Sequence, residues 1–195
     1  GLINTYHESR IFIKWIYRTA LKGYSYIISV NDDITKFLKD IGIPKDRIKL
    51  INAYIEPSCD SVELQLPENV DTFINNHFPI ISSNAFSIRK YNGVDLYGID
   101  MIIDACRFLI KEYPEIGFIV LCSKKDDILI NQYYEALKDI KDNFMLIAEN
   151  MNYIPILQKS HVCVRPTNTD GFSLSIAEAL YFKIPVVASD VVSRP

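Results

Sequence analysis

From residue 76 onward, short apolar runs alternate with segments whose apolar residues recur at helical spacing. The runs are rich in β-branched and aromatic residues and have the length of buried strands, whereas the segments between them have the period of amphipathic helices. The predicted strands are FPIISSNAF, GFIVLCS, FMLIAE, HVCVRP and the run at 185–188, and the predicted helices cover 98–113, about 126–140, 153–159 and the segment after Gly171. Strict alternation implies right-handed crossovers between parallel strands. The pattern therefore predicts an α/β fold, a Rossmann-like parallel sheet with helices on both faces.

Residues 1–56 carry the same alternation in a shorter form. The pattern predicts a helix over 8–22, a strand over 24–30, a helix capped by Asn31, Asp32 or Asp33, and a short strand within RIKLINAYIEP. Residues 57–75 contain two prolines and several acids and lack sustained periodicity, which is typical of a linker. We therefore predict the end of one domain over 1–56, a linker over 57–75 and a second domain over 76–195, incomplete at its C-terminus and with a loop at 87–97.

The composition excludes several classes of protein. A chain of 195 residues with 49% hydrophobic content can bury a sizeable core, and no apolar run reaches the roughly 18 residues of a membrane span. The N-terminus has no apolar stretch behind a basic start, so no signal peptide is predicted and the cytosol is the expected compartment. A net charge of −3, without basic clusters among aromatic residues, gives nucleic acid little to bind. Nucleic-acid binding is therefore not expected.

The four cysteines are widely spaced and form no C-x-x-C pair, and the three histidines are scattered along the chain. Neither a metal site nor a disulfide framework is predicted from such spacing. Cys122 and Cys163 each lie inside an apolar run, where cysteine behaves as a small core residue.

One segment near the N-terminus is locally basic. In RIFIKWIYRTALK, a positive side chain recurs every four residues, at Arg10, Lys14, Arg18 and Lys22. The favoured interpretation is a solvated face opposite core residues such as Ile11 and Trp15. The alternative is peripheral contact with an anionic lipid surface.

The candidate ligand-binding residues lie in one stretch, residues 165–190, with the sequence RPTNTDGFSLSIAEALYFKIPVVASD. Its loop follows a predicted strand and precedes a predicted helix, which is where open α/β sheets bind ligands. The first turn of a helix offers unpaired N–H groups and a partial positive charge, and Gly171 allows close backbone approach, so phosphate is the expected guest. Ser173 and Ser175 are interpreted either as further hydroxyl donors or as helix caps.

Two carboxylates flank this helix start. Glu178 lies four to five residues inside the helix, about 6–8 Å along its axis, a distance that suits the ribose of a nucleoside diphosphate. Its neighbours Ile176, Ala177, Ala179 and Leu180 are apolar, which predicts a largely buried segment whose charge needs a partner. Asp170 is interpreted either as an ordinary Asp-Gly turn or as a ligand for sugar hydroxyls.

These residues resemble the E-x7-E region of the retaining glycosyltransferases of family 4, which have the GT-B fold. GVDLYGIDMIIDACRFLIKEYPEIGFIVLCS is similar to the opening of that family's C-terminal domain, and YSYIISVNDDITKFLKDIGIPKDRIKLINAYIEP to the end of its N-terminal domain. The resemblance covers most of the chain. It implies that the chain is the C-terminal half of a GT-B fold with the tail of the other half.

The resemblance also assigns roles to residues. Glu178 would hold the ribose, the backbone of Gly171, Phe172 and Ser173 the diphosphate, and Asp170 the hydroxyls of the transferred sugar. Asp170 stands where the family usually has Glu. Tyr97 stands where the family has a lysine before the glycine, so Arg89 and Lys90 are the expected cations for the departing diphosphate.

The implied function is transfer of a sugar from a nucleoside-diphosphate sugar to a carbohydrate or lipid-linked acceptor, with retention of anomeric configuration and without a metal or other cofactor. Bacterial polysaccharide or lipopolysaccharide synthesis is the implied setting, in the cytoplasm or at the inner face of the membrane. We expect the chain to be part of a longer enzyme and inactive alone. Two alternatives stay open: a non-catalytic nucleotide-binding or regulatory module, and a nucleotide-sugar epimerase of the same fold.

Overall fold

The computed structural model describes residues 2–51, 53–54, 56, 65–91, 93–124, 127–170 and 172–191. The chain groups into two compact units. The smaller unit comprises residues 1–55 with 170–174 and 192–195, and the larger one comprises 56–169 with 175–191.

The described residues of the smaller unit form three helices and a two-stranded parallel sheet. Its elements are α1 (Leu2–Glu8), α2 (Ile11–Lys22), β1 (Ile27–Ser29), α3 (Asp32–Asp40) and β2 (Ile48–Leu50), with a 3₁₀ turn at Lys45–Arg47. Asn31 is the cap of α3, because its side chain accepts a hydrogen bond from the N–H of Ile34 at 2.8 Å. The α3 face that bears Phe37 and Leu38 packs in the core of this unit.

The N-terminal prediction of one helix over 8–22 is wrong. Two helices occur, and Arg10 between them has an extended backbone. The Ser9 hydroxyl donates to the carbonyl of Thr5 at 2.5 Å, the kind of local hydrogen bond that competes with helix continuation. The predicted strand over 24–30 shortens to β1, and the expectation that Ile11 and Trp15 are core residues is also wrong, since α2 has no buried residue.

The larger unit is built on a five-stranded sheet. Along the chain its elements are α4 (Glu68–Asn76), β3 (Ile80–Ser87), β4 (Lys90–Tyr91), β5 (Val94–Asp95), α5 (Ile99–Leu109), β6 (Gly117–Lys124), α6 (Asp127–Ala136), β7 (Phe144–Ile147), α7 (Ile154–Gln158), β8 (Val162–Arg165), α8 (Leu174–Tyr181) and β9 (Val186–Ala188). The strand order is β7-β6-β3-β8-β9, and all neighbours are parallel. The predicted parallel α/β sheet is confirmed.

Each face of this sheet has its own core. On β6, Phe118, Val120 and Cys122 join the core formed with α5 and α6, whereas Ile119 and Leu121 join the core formed with α4, α7 and α8. A strand covered on both faces is expected to be a continuous apolar run, and GFIVLCS is one. Cys122 and Cys163 are buried, as predicted.

Three local expectations fail. The end of the predicted linker is α4, whose Val70, Phe73 and Ile74 pack into the core of the larger unit. The predicted loop at 87–97 contains the antiparallel hairpin β4–β5. The predicted strand at 185–188 is confirmed as β9, but the expectation that it is buried fails, because β9 lies at the edge of the sheet and Val187 is 63% exposed.

Candidate functional site

The strand order of the larger unit reverses beside β3. The chain moves from β3 outward to β6 and β7, and then returns to β8 on the other side of β3. The crevice outside the carboxyl ends of β3 and β8 is therefore the switch point at which doubly wound sheets bind ligands. We call it the switch crevice.

Arg165, the last residue of β8, lies at this crevice. It is only 8% exposed, and its Nη1 donates to the backbone carbonyl of Asn84 on β3 at 2.5 Å and to the Asn84 Oδ1 at 3.2 Å. Its guanidinium carbon lies 5.0 Å from the centroid of the Tyr97 ring, within the range of a cation–π interaction. A buried positive charge on β8 is thus held against the neighbouring strand β3.

The loop that precedes α5 packs against the chain that follows Arg165. Gly98 has φ of +68°, and a Cβ at this position would lie 2.2 Å from the carbonyl oxygen of Pro166. Buried Asp95 holds the loop, because its Oδ1 accepts from the N–H groups of Tyr97 and Gly98 at 2.8 and 2.9 Å and its Oδ2 accepts from Tyr133. Only glycine fits this contact.

Two buried hydroxyls lie at the start of α8, one on the residue just before the helix and one in its first turn. Ser173 is 2% and Ser175 4% exposed, and neither Oγ has a hydrogen-bond partner among the described residues. The cap interpretation of Ser173 is therefore not supported, since a capping hydroxyl would accept a backbone N–H. Buried polar atoms are normally paired, so these two hydroxyls are suited to a ligand. Gly171 lies outside the described residues, and Phe172 beside it is half-buried.

Glu178 is the fifth residue of α8, about 6 Å along the axis from its start. It is half-buried, and this burial raises the pKa of its carboxyl, while the positive charge of Arg165 offsets part of the rise. The expected burial of the neighbouring residues holds for Ile176 and Ala179, but Leu180 is 53% exposed. Glu178 is thus a carboxylate in a partly desolvated site with a cation in its field.

The remaining predicted residues are distributed over both units. Asp170, Phe172 and Ser173 belong to the smaller unit, and Glu178 belongs to the larger one. Arg89 and Lys90 are exposed in the larger unit just after β3, and the Arg89 Nε donates to the Ser87 hydroxyl at 3.1 Å. Both residues are exposed to solvent.

Sequence reasoning missed Arg165, Asn84 and Asp95. Arg165 had a signal, because a charged residue inside the apolar run HVCVRP is unusual for a buried strand and calls for a partner. Asn84 and Asp95 gave no comparable signal. Their contacts join residues that are 81 and 38 positions apart in the sequence.

Two features are absent from the described part of the chain. No group of three or more His, Cys, Asp or Glu side chains is arranged to hold a metal ion. No helix there has the length and apolar character needed to cross a bilayer.

Comparisons with known proteins give a consistent result. A family model described as glycosyl transferases group 1 matches residues 90–195, more than half of the chain. An uncharacterized glycosyltransferase of Haemophilus influenzae is 24% identical over 123 residues, which is 63% of this chain and 32% of that protein. The chain therefore spans about a third of the length of this curated relative.

Two solved structures resemble the fold. Alr3699/HepE of Anabaena, in complex with UDP and glucose, matches 93% of this chain and 49% of its own, with a TM-score of 0.69 and 15% identity. The pneumococcal O-GlcNAc transferase GtfA, in complex with UDP and GlcNAc, matches 91% of this chain and 32% of its own, with a TM-score of 0.66 and 17% identity.

Proposed function

The chain belongs to the group 1 glycosyl transferases, and on that premise we propose that it binds a nucleoside-diphosphate sugar whose ribose is held by Glu178. The transfer would proceed with retention of anomeric configuration, as in family 4. The acceptor would be a carbohydrate or a lipid-linked carbohydrate of bacterial polysaccharide synthesis. With a lipid-linked acceptor, the enzyme would contact the membrane surface.

The observation that carries the proposal is the environment of Glu178. A half-buried carboxylate about one turn inside α8 lies in the field of Arg165, the last residue of β8. Desolvating this carboxylate costs free energy in the empty protein, and a ribose diol that donates two hydrogen bonds would recover it. Dinucleotide-binding folds use an acidic residue in this way.

The diphosphate would be bound by residues just before α8 along the chain. Backbone N–H groups of Gly171, Phe172 and Ser173 would donate hydrogen bonds to the diphosphate oxygens, and the unpartnered Ser173 and Ser175 hydroxyls would add donors. Asp170 would contact the hydroxyls of the transferred sugar.

Bond cleavage would then be assisted by electrostatic stabilisation. As the bond between the anomeric carbon and the diphosphate breaks, negative charge grows on the departing phosphate oxygens. Arg89, Lys90 and the N–H groups before α8 would stabilise that charge. We propose that neither a metal ion nor another cofactor takes part.

UDP is the proposed nucleotide, because both similar structures reported above contain it. Calorimetric titration of the full chain with UDP, GDP and ADP tests this choice. Glu178→Gln keeps the size of the side chain and removes its charge, and about tenfold weaker binding is expected, or roughly 1.4 kcal/mol for a lost charged hydrogen bond. Glu112→Gln, at an exposed glutamate, is the matched control and should bind like the wild type.

UDP binding that ignores Glu178→Gln would contradict the assignment of the ribose. Preference for GDP or ADP would contradict the choice of UDP. Retention requires a second experiment, in which the anomeric configuration of donor and product is compared by NMR with the full-length enzyme. A product formed without any acceptor would instead favour the epimerase alternative.

A further inference from the structure

The helix α2 exposes an apolar stripe to solvent. None of its residues is buried, and Ile11, Phe12, Trp15 and Ile16 are 87%, 66%, 62% and 45% exposed. At about 100° per residue these four side chains fall on one side of the helix, and the rings of Phe12 and Trp15 stack with their centroids 6.2 Å apart. We call these four residues the α2 stripe. An exposed apolar patch of this kind marks an interaction surface.

The opposite side of α2 attaches the helix to the smaller unit. Leu21 packs against the core of that unit, and the Tyr17 ring meets the Tyr6 ring edge-on, with centroids 6.4 Å apart. The α2 stripe takes no part in these contacts, and leaving it in water costs solvation free energy. The packing of the smaller unit therefore does not account for the stripe.

The charges beside the α2 stripe are all positive. A second stripe of basic side chains, one in every four residues, consists of Arg10, Lys14, Arg18 and Lys22. At helical spacing it borders Ile11 and Trp15. In the part of the chain that the structure describes, none of the four forms a salt bridge with an acidic side chain. The whole chain has a net charge of −3, so the four positive charges stand apart from the −7 carried by the other residues.

We propose that α2 is an interfacial helix that docks on an anionic lipid surface, with the α2 stripe in the apolar layer and the basic stripe on the phosphate headgroups. Helices that lie in a membrane interface combine an apolar face containing Trp or Phe with Lys and Arg side chains. A lipid surface supplies an apolar layer and a plane of negative charge, which the two stripes require together. The inference names the surface by which the enzyme would reach a lipid-linked acceptor, and in that setting it rests on the proposed function.

The first test uses Trp15, which is the only tryptophan of the chain, so its fluorescence reports on the α2 stripe alone. The full chain is titrated with vesicles of phosphatidylcholine and phosphatidylglycerol in equal parts, and with vesicles of phosphatidylcholine alone. The Trp15 emission should move to shorter wavelength with the anionic vesicles, and less so at high salt, because salt screens the attraction to the headgroups. No shift, or an equal shift with both kinds of vesicle, would overturn the proposal.

Two pairs of variants separate the apolar and the charged contributions to vesicle affinity. Phe12→Ser should weaken it about tenfold, whereas Phe108→Ser, at a phenylalanine of the larger unit that is also 66% exposed, should leave it unchanged. Lys22→Gln should weaken it about fivefold, and Lys111→Gln, at an exposed lysine of the larger unit, should leave it unchanged. All four side chains are exposed, so each variant should fold, which circular dichroism checks. Equal losses within either pair would contradict the assignment to α2.

Further outcomes identify other occupants of the α2 stripe. A shift of the Trp15 emission that appears without vesicles and grows with protein concentration would assign the stripe to a second copy of the chain and overturn the proposal. The full-length enzyme is expected to co-sediment with the anionic vesicles. Its failure to do so would mean that protein covers the stripe there, and would also overturn the proposal.

UDP titration keeps this inference apart from the proposed function. Phe12→Ser should bind UDP like the wild type in calorimetry, although its vesicle affinity is lower. Wild-type chain that binds UDP but ignores anionic vesicles would overturn the docking of α2 and leave the proposed function standing. Wild-type chain that binds the vesicles but no UDP would contradict the proposed function alone.

Discussion

Gly98 gives the sharpest test of how the site is built. Its backbone is left-handed, with φ of +68°, and it meets the backbone of Pro166, the residue after Arg165. Gly93, in the β4–β5 hairpin, has a similar φ of +82°, but a Cβ there would find nothing within 4 Å. Both glycines therefore have a left-handed backbone, but only at Gly98 would an added Cβ collide with a neighbouring residue.

The expected costs follow from that comparison. Alanine in the left-handed region costs about 1–2 kcal/mol, which is the whole effect expected for Gly93→Ala. Gly98→Ala adds a Cβ at 2.2 Å from the Pro166 carbonyl oxygen and 3.0 Å from its carbonyl carbon, and both atoms are backbone. Relieving an overpacked contact costs a further 1–3 kcal/mol or so, giving a total of about 2–5 kcal/mol.

Urea unfolding followed by circular dichroism measures both values. Gly98→Ala should also weaken UDP binding, because the loop that it displaces packs against Pro166, on the segment that leads to the proposed diphosphate-binding residues. Equal destabilisation by the two substitutions, or unchanged UDP binding in Gly98→Ala, would refute the idea that the loop before α5 is locked to the chain after β8.

Two further predictions concern stability. The pKa of Glu178 is raised in the folded protein, so as pH rises its carboxyl ionises in the unfolded chain before it ionises in the folded one. The folded state therefore loses stability over this pH range, and the loss is complete above the folded pKa. Glu178→Gln should therefore be more stable at pH 7, with a Tm about 1–3 °C higher that returns to the wild-type value near pH 4, and a lower Tm at pH 7 would contradict this. Tyr133→Phe should lower the free energy of unfolding in urea by about 1–3 kcal/mol, because it leaves the Asp95 Oδ2 without this donor. Tyr134→Phe, on the exposed side of the same helix, should be neutral. Equal effects of the two substitutions would argue against the Asp95 network.

The sheet of the larger unit was predictable because its central strands are covered on both faces. The strand β6 carries apolar side chains toward both cores, so the run GFIVLCS predicts a buried strand without any information on its neighbours. The hairpin β4–β5 was not predictable, since its two-residue strands are too short to show an alternating pattern. The helix α4 was missed for a different reason, because Pro67 at its start is typical of linker sequences.

The candidate site was predictable only in its local part. The loop before α8 and Glu178 are contiguous in sequence, so helix-terminus chemistry identifies them from one short stretch. The orientation of the Arg165 guanidinium depends on Asn84, which is 81 residues away in the sequence, and on Tyr97. No periodicity or spacing encodes such a contact, which exists only once β3 and β8 are neighbours.

The burial of Arg165 and Glu178 also bears on their purpose. Burying an arginine within the sheet and half-burying a carboxylate on α8 costs desolvation free energy that apolar side chains would avoid, so stability alone does not account for them. Natural proteins accept such costs mainly where a ligand recovers them. Because Arg165 lies at the carboxyl end of β8, beside the crevice where the strand order reverses, the position of its cost and the position expected for a ligand coincide. This coincidence favours nucleotide binding over a purely structural use of the pair, and it predicts that ligand should stabilise the wild type more than Glu178→Gln.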